Sequence, residues 1–542
     1  MAATRFSMRT ILAQQTERTK GSAPTQIKQF IVDSDSRVDS LQNEIVALES
    51  QIAALVELRD RECATGAALR SLIAPIRTLP AELLAEIFVL TIRRDLKTPR
   101  LSVHVGDNSL CAVQIKDPFR VSHVCRHWRR IATGLPELWT GTVEVPFSPK
   151  LGEEEEEGEK YVNGLRAWFA RSKPHAVSIA IRTPPYALSQ TEFGSRLAGE
   201  LRHVATRTRS LRFLDRASAW LVQHVADGRW DSLEELELGG VVADDDSDDD
   251  FVGTTILSFQ TTAPQLRTLS IDLCSRIPMP WGQLTNLTIL RDSMRIIPPE
   301  YVRDILSQCK NLVRASVFVV GWADHPPPKT DMLALDHLRV LTVHCIGDAT
   351  HVLFLDYLSA PALDDFQLYF PYNNGDTEWP QAALTAFQLR SPNITKLKID
   401  GSGFTMSADA LIAALRHAPS LTDLTLVYCL DFSDNALLNV LCYTDGSLEP
   451  LVPRLHSLTI GEIHQDASQD GLARMITSRW WSDTKLASRP TVPAVARWRQ
   501  IILIQDDSLS WGFKPSPKFQ DRMDELRQSG LAVELIDYDS FY

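Results

Sequence analysis

A short apolar phrase, L-x-x-L-x-L, recurs along the chain and restricts its fold more than any other feature. Its copies are Leu233-Leu236-Leu238, Leu266-Leu269-Ile271, Leu284-Leu287-Ile289, Leu338-Leu341-Val343, Leu363-Phe366-Leu368, Ile394-Leu397-Ile399, Leu421-Leu424-Leu426 and Leu455-Leu458-Ile460, with a degenerate copy at Leu312-Ala315-Val317. Successive copies start 33, 18, 28, 26, 25, 31, 27 and 34 residues apart. The last two apolar residues of each copy alternate with polar ones, as a short strand requires. Pro264, Pro361, Pro392, Pro419 and Pro453 stand two residues ahead of a copy and mark the turn that feeds it. Helical stretches such as 301–306 and 408–415 lie between copies. Strand, turn and helix at this period predict a parallel sheet with helices on its outside. One unit cannot bury its apolar side alone, so neighbours must stack.

The phrase and its spacing resemble leucine-rich repeats. The expected fold class is therefore α/β, a leucine-rich-repeat solenoid over 161–542. Its first strand is expected at 177–181, after a helix-like stretch at 165–170. Its closing unit is expected as strands over 501–504 and 531–536 around a helix over 520–528. Such a sheet presents one row of side chains per repeat, a surface suited to gripping a protein. The candidate target-binding residues are those between the leucines: Thr268, Ser270, Thr342, Gln367, Lys396, Lys398, Asp423 and Thr425. Phe318, Tyr369 and Tyr428, near strand ends, are candidate aromatic anchors. The variety of these side chains leaves the target unspecified.

A second signature lies upstream, in APIRTLPAELLAEIFVL (74–90) and PFRVSHVCRHWRRIATGLPELW (118–139), separated by an insert over 91–117. Leu79 precedes a proline and is expected to be extended, with Pro80 opening a helix. Leu83, Leu84, Ile87 and Phe88 make an apolar stripe on that helix. Val121, Val124, Cys125, Trp128, Ile131 and Ala132 read as one face of a second helix, ended by Gly134-Leu135-Pro136. These residues resemble an F-box, in the F-box-like form common in fungal proteins. The resemblance implies a small all-α module over 74–141 that docks a Skp-type adaptor and so joins a cullin ubiquitin ligase. Carried onto this chain, the adaptor-binding residues are Leu79, Pro80, Leu83, Leu84, Ile87, Phe88, Val121, Cys125, Trp128 and Ile131. The long insert, with its extended-looking 101–105, departs from the family pattern.

Between Val38 and Leu55, apolar residues fall at steps of 3, 4, 3, 4 and 3 (Val38, Leu41, Ile45, Leu48, Ile52, Leu55), an a/d heptad seam. A coiled-coil-like helix is expected over 36–73, after a disordered, basic tail over 1–35. Its seam can zip with a second copy to make a homodimer, or fold back on its own chain. The acidic run at 153–157 reads as a solvated linker over 142–160, and 244–250 as an acidic loop within the repeats.

Charge and chemistry narrow the function classes. The net charge of −12 disfavours bulk nucleic-acid binding. Residues 75–140 run the other way, with ten Lys/Arg against six Asp/Glu. Arg120, His123, Arg126, His127, Arg129 and Arg130 there form a basic side suited to an acidic partner. No apolar run approaches the ~18 residues that cross a bilayer, so no membrane partner is expected. The eight cysteines contain no C-x-x-C pair, which points to a reducing compartment, cytoplasm or nucleus. Cys125, Cys274, Cys345 and Cys429 read as small buried hydrophobes. No phosphate-binding, dinucleotide, zinc-protease or nucleophile-elbow motif is present. His344-Cys345 with His351 reads as core, and neither Asp364-Asp365 nor Asp506-Asp507 as a paired-carboxylate site. The expectation is a non-enzyme with no cofactor and no metal, the substrate-recognition subunit of a ubiquitin ligase. The alternatives are an interaction scaffold outside any ligase and, more remotely, a regulator that binds nucleic acid through the Arg126-Arg129-Arg130 side.

Overall fold

A computed structural model of the chain describes residues 23–95, 118–147, 155–183, 192–242, 259–272, 277–290, 299–319, 332–345, 354–370, 381–401, 406–428, 435–445, 449–461, 468–489, 492–505 and 515–537. The chain divides into two compact units, Met1–Glu86 and Ile87–Tyr542.

The first unit is helical where it is described. α1 (Ala23–Leu72) is one unbroken helix of 50 residues. The expected tail is thus helical from Ala23 onward. Pro24 sits in the first turn, where its missing N–H costs nothing, and no proline follows until Pro75. A 3₁₀ turn, Pro75–Thr78, leads to Leu79, which is extended (φ −70°, ψ 135°) as a residue before proline should be. α2 (Ala81–Asp95) follows, and the boundary between the units falls inside it. Pro80 stands one position before the helix, where its carbonyl accepts the Leu84 N–H at 3.1 Å. α2 also takes up the first residues of the expected insert; 96–117, including 101–105, lie outside the described residues.

The second unit continues with helical residues 118–123, α3 (Arg126–Thr133) and a 3₁₀ turn over Pro136–Trp139. The stretch expected as one helix is therefore two. Cys125 is extended (φ −160°, ψ 171°), and its Sγ accepts the Trp128 N–H at 3.4 Å as the cap of α3. Arg129 Nε donates to the Ser122 carbonyl (3.1 Å) at the same break. Such local side-chain bonds compete with continuous helix. Val124 is consequently solvent-exposed rather than on a shared apolar face.

The rest of the unit is built mainly of β1 (Thr142–Pro146), α4 (Glu155–Arg171), β2 (Val177–Arg182), α5 (Glu192–Val204), β3 (Thr208–Phe213), α6 (Ala219–Ala226), β4 (Glu235–Leu238), β5 (Thr268–Asp272), β6 (Asn286–Leu290), α7 (Pro299–Gln308), β7 (Arg314–Val319), β8 (Val340–Cys345), β9 (Asp365–Tyr369), α8 (Gln381–Arg390), β10 (Lys396–Asp400), α9 (Ala408–Arg416), β11 (Asp423–Val427), α10 (Ala436–Leu441), β12 (Ser457–Gly461), α11 (Gln469–Ser478), β13 (Gln500–Gln505), α12 (Pro517–Gln528) and β14 (Ala532–Asp537). The fourteen strands form one parallel sheet in strict chain order. Parallel crossovers are right-handed, so an unreversed order places every connecting helix on the same side. Neighbouring helices accordingly pack on one another, α4 on α5, α5 on α6, and α8 through α11 in succession.

All three apolar positions of the nine phrase copies are buried. The first of them closes the turn before the strand, as in Leu233 N–H to Trp230 O (3.1 Å) and Leu363 N–H to Ala360 O (3.0 Å). The residue after it bonds its counterpart one repeat earlier. Arg267 reaches Glu234, Thr285 reaches Arg267, and the ladder continues through Val313, Arg339, Asp364, Thr395, Thr422 and His456 to Arg499, at 2.7–3.0 Å per rung. Each repeat thus satisfies the turn amides of the next, which is how neighbours stack.

Three further points differ from expectation. The linker over 142–160 instead holds β1, so the sheet starts at Thr142 and not at 177. Glu155, Glu156 and Glu157 form the first turn of α4, where the positive end of the helix dipole favours acids. β3 was not anticipated, because Thr208 stands where the phrase has leucine; it is buried, and its hydroxyl donates to the Val204 carbonyl (3.1 Å). Cys125 is a half-buried cap rather than a core hydrophobe, and Cys274, Cys429 and 244–250 lie outside the described residues. Among the described residues no helix is long and apolar enough to cross a membrane.

Candidate functional site

Side chains between the buried leucines share the other side of the sheet, and in-register parallel pairing lines them into rows. Ser270 on β5 lies opposite Thr288 on β6, which lies opposite Ser316 on β7 and then Thr342 on β8. Gln367, Lys398, Thr425 and Thr459 extend that row across β9 to β12. A second row, nearer the strand starts, holds Thr268, Asn286, Arg314, Val340, Asp365, Lys396 and Asp423. The eight expected target-binding residues all fall in these two adjacent rows.

The rows differ in chemistry along the sheet. Near its start, charges pair with one another: Arg182 with Glu144 and Arg212 with Glu237, each at 2.5 Å. The four hydroxyls from Ser270 to Thr342 follow and carry no charge. Next, Asp365, Lys396 and Asp423 alternate in sign on adjacent strands, an arrangement that favours the pairing. Several of these groups are already engaged. Asn286 Nδ2 donates to Thr268 Oγ1 (3.1 Å), Gln367 Nε2 to Asp365 Oδ1 (3.0 Å) and Thr422 Oγ1 to Asp423 Oδ2 (2.6 Å).

A third row, toward the strand ends, contains a stacked aromatic cluster. The rings of Phe318 and His344 stack at 4.2 Å and 11°, and those of His344 and Tyr369 at 4.8 Å and 16°. Lys398 Nζ lies 4.8 Å from the centre of the Tyr369 ring, within cation–π range. Tyr369 also donates its hydroxyl to Gln367 Oε1 at 3.3 Å. Burial, reinforced by Asp400 and Asp365, pushes the Tyr369 phenol up to about 12. Burial likewise pushes Lys398 below its ordinary value, against the pull of Asp400. The result is a half-buried wall of flat neutral rings with a cation at one edge, suited to a protein surface that offers apolar groups and hydrogen-bonding partners.

His344 is the member that sequence reasoning misplaced. Alternation pairs it with Thr342, not with the buried Val343 and Cys345 that flank it, and this parity was the available signal. His351 lies outside the described residues. Among the described residues no group of His, Cys, Asp and Glu is arranged to hold a metal. The Asp364-Asp365 carboxylates diverge, Asp364 accepting from Thr395 and Asp365 from Gln367. Of the expected anchors, Phe318 and Tyr369 are in the stack, whereas Tyr428 follows the end of β11 with φ 54°.

Burial, and second the Lys398 charge, push the His344 imidazole down to about 4. An unfolded histidine takes up its proton near pH 6.5, so below that pH the unfolded state gains a proton that the folded stack refuses. The contribution is therefore intact above pH 6.5 and is lost as the pH falls toward 4. It amounts to at most ~3 kcal/mol. We expect the urea midpoint of the wild type to fall further than that of His344→Phe between pH 7.5 and 4.5. Parallel curves would show that the imidazole is not held neutral.

The residues of the helical segments sort by burial. In the first unit, Leu84 is fully buried, Leu79 half-buried, and Pro80 and Leu83 are exposed, Leu83 by 52%. In the second, Phe88 is buried and Ile87 is 41% exposed, while Val121, Cys125, Trp128 and Ile131 are half-buried. The Phe88 and Trp128 rings meet at 4.8 Å, so the sequence on either side of the insert comes together there. Beyond it, Trp139 is wholly buried and edge-on to Phe119 (5.5 Å) and to Trp168 of α4 (4.9 Å). Its Nε1 donates to the Ala132 carbonyl at 2.8 Å, and Arg171 covers it at 4.6 Å. The aromatic cluster fastens 118–139 to the first helix of the sheet layer. Arg120, His123, Arg126, His127, Arg129 and Arg130 are all exposed. No protein-family model matches the chain, and no curated protein matches it.

Proposed function

We propose that the chain is a non-catalytic substrate receptor of a Skp/cullin/F-box ubiquitin ligase, working in the cytoplasm or nucleus without a cofactor. In this reading the helical segments over 74–141 are an F-box-like module that docks a Skp-type adaptor, and the parallel sheet is a leucine-rich-repeat solenoid that holds a target protein. The observation that carries the reading is the Phe88–Trp128 contact at 4.8 Å. It brings together two segments, each a weak signature alone, across an insert that separates them in sequence. The cluster around Trp139 adds support, since it joins the helices after the insert to the layer that backs the sheet.

The receptor's contribution is proximity. Holding a target beside the ubiquitin-loaded enzyme makes lysine transfer effectively intramolecular, and the rate follows the effective concentration that the assembly sets. The neutral hydroxyl row and the ring stack serve target capture. The exposed arginines of the helical module suit an acidic partner.

The purified full chain, mixed at micromolar concentration with a purified Skp-type adaptor, is expected to elute with one adaptor per chain. An adaptor that elutes alone would end the ligase reading and leave the interaction scaffold in its place.

A further inference from the structure

We propose that α1 pairs in parallel with the α1 of a second copy of this chain, through Val38, Leu41, Ile45, Leu48, Ile52 and Leu55. This pairing does not require adaptor binding. α1 is about 75 Å long, and its described side chains are exposed along its length. The six seam residues are 46–65% exposed. Propensity and sparse ion pairs such as Arg61–Glu57 (3.2 Å) hold a lone helix only marginally, so an apolar seam of this kind calls for a partner. Folding back within α1 is excluded, because the helix runs unbroken from Ala23 to Leu72.

The identity of the seam residues selects the partner. The 3,4 spacing puts Val38, Ile45 and Ile52 at a, and Leu41, Leu48 and Leu55 at d. β-branched residues at a with leucine at d are the combination that favours two parallel strands over three or four. The next a and d places are Arg59 and Glu62, so the seam ends at Leu55 and the two copies are held in one register. Pairing hides on the order of 1,000 Å² of surface over the two copies, the size at which specific interfaces begin. That is enough for a weak, concentration-dependent dimer.

Flanking charges make the geometry testable. In the parallel pair, Glu44 at g faces Glu49 at e of the other copy, twice per dimer, and like charges oppose association. In an antiparallel pair, Glu44 faces Gln51 and Glu49 faces Gln42. Glu44→Lys therefore turns two repulsions into two attractions only if the helices run parallel.

Sedimentation equilibrium of the full chain, from about 0.5 to 100 μM, is the test. A reversible monomer–dimer equilibrium is expected, tightened roughly five- to tenfold by Glu44→Lys and abolished across the range by Leu48→Asp. Leu48 is exposed, so any helicity lost with Leu48→Asp is confined to α1, and amide exchange in the strands from β5 to β11 stays as in the wild type. A chain that stays monomeric at every concentration overturns the proposal. So does a higher oligomer, a dimer indifferent to Leu48→Asp, or one that Glu44→Lys fails to tighten.

Discussion

Replacing Trp139 with alanine should destabilise the junction between the helical segments and the sheet layer by about 3–5 kcal/mol, the usual range for emptying a buried tryptophan site. The indole has no solvent exposure and lies edge-on to Phe119 and Trp168, with the Arg171 guanidinium over it. Truncation removes those contacts and also leaves the Ala132 carbonyl without the Nε1 donor it now has at 2.8 Å. Trp139→Phe keeps a ring in place and loses the hydrogen bond, so it should cost less, about 1–2 kcal/mol. A chain of this length does not unfold in one step. The loss should therefore show as faster amide exchange in α3, the Pro136–Trp139 turn and α4, while the strands from β5 onward stay protected. Unchanged exchange in α3 and α4 would mean that the cluster does not fasten the two together.

The second large effect tests the proposed adaptor docking. Leu83→Asp and Ile87→Asp, combined, should lower adaptor affinity by more than a hundredfold, because two unpaired carboxylates would have to be desolvated in an apolar contact. Each side chain is now about half in solvent, so the fold should lose no more than about 1 kcal/mol, as for other surface changes. Leu84 is unsuitable for this purpose. It is 0% exposed, and Leu84→Ala should cost about 2–5 kcal/mol by leaving a cavity, which would confound docking with folding. Isothermal titration with purified adaptor, beside thermal melts of the same variants, separates the two. Undiminished affinity in the double variant would remove these residues from any docking role.

The strands were legible wherever the chain spells the phrase with aliphatic residues. Every copy from Leu233 to Ile460 has its three apolar positions buried, because period-two alternation on a stacked parallel sheet admits few other arrangements. The two rows of candidate target residues followed from the same parity. Legibility ended where a different interaction replaced leucine burial. Thr208 holds the leading position of β3 through a hydroxyl bond, not an aliphatic side chain. The acidic run reads as solvated by charge alone, yet its last residues open α4, where the helix dipole offsets their repulsion. The break at Cys125 depends on a sulfur cap and on a bond from Arg129 to the Ser122 carbonyl, and helical periodicity carries no trace of either. Arg479 is a further case. It is wholly buried, with its guanidinium on the carbonyls of Leu441, Leu451 and Val452 at 2.7–3.2 Å. Nothing in the pattern around it announces a buried cation. The ring stack is half visible in the sequence, where Phe318 and Tyr369 read as anchors, but only register shows that His344 joins them.

Hydrogen exchange of the full chain, alone and saturated with a Skp-type adaptor, bears most directly on the division of labour between the helical module and the sheet. The account predicts slowed exchange in 81–91 and in 118–131, with the strands from β5 to β11 unchanged. A complex that slows those strands and leaves both helical segments as they were would contradict it.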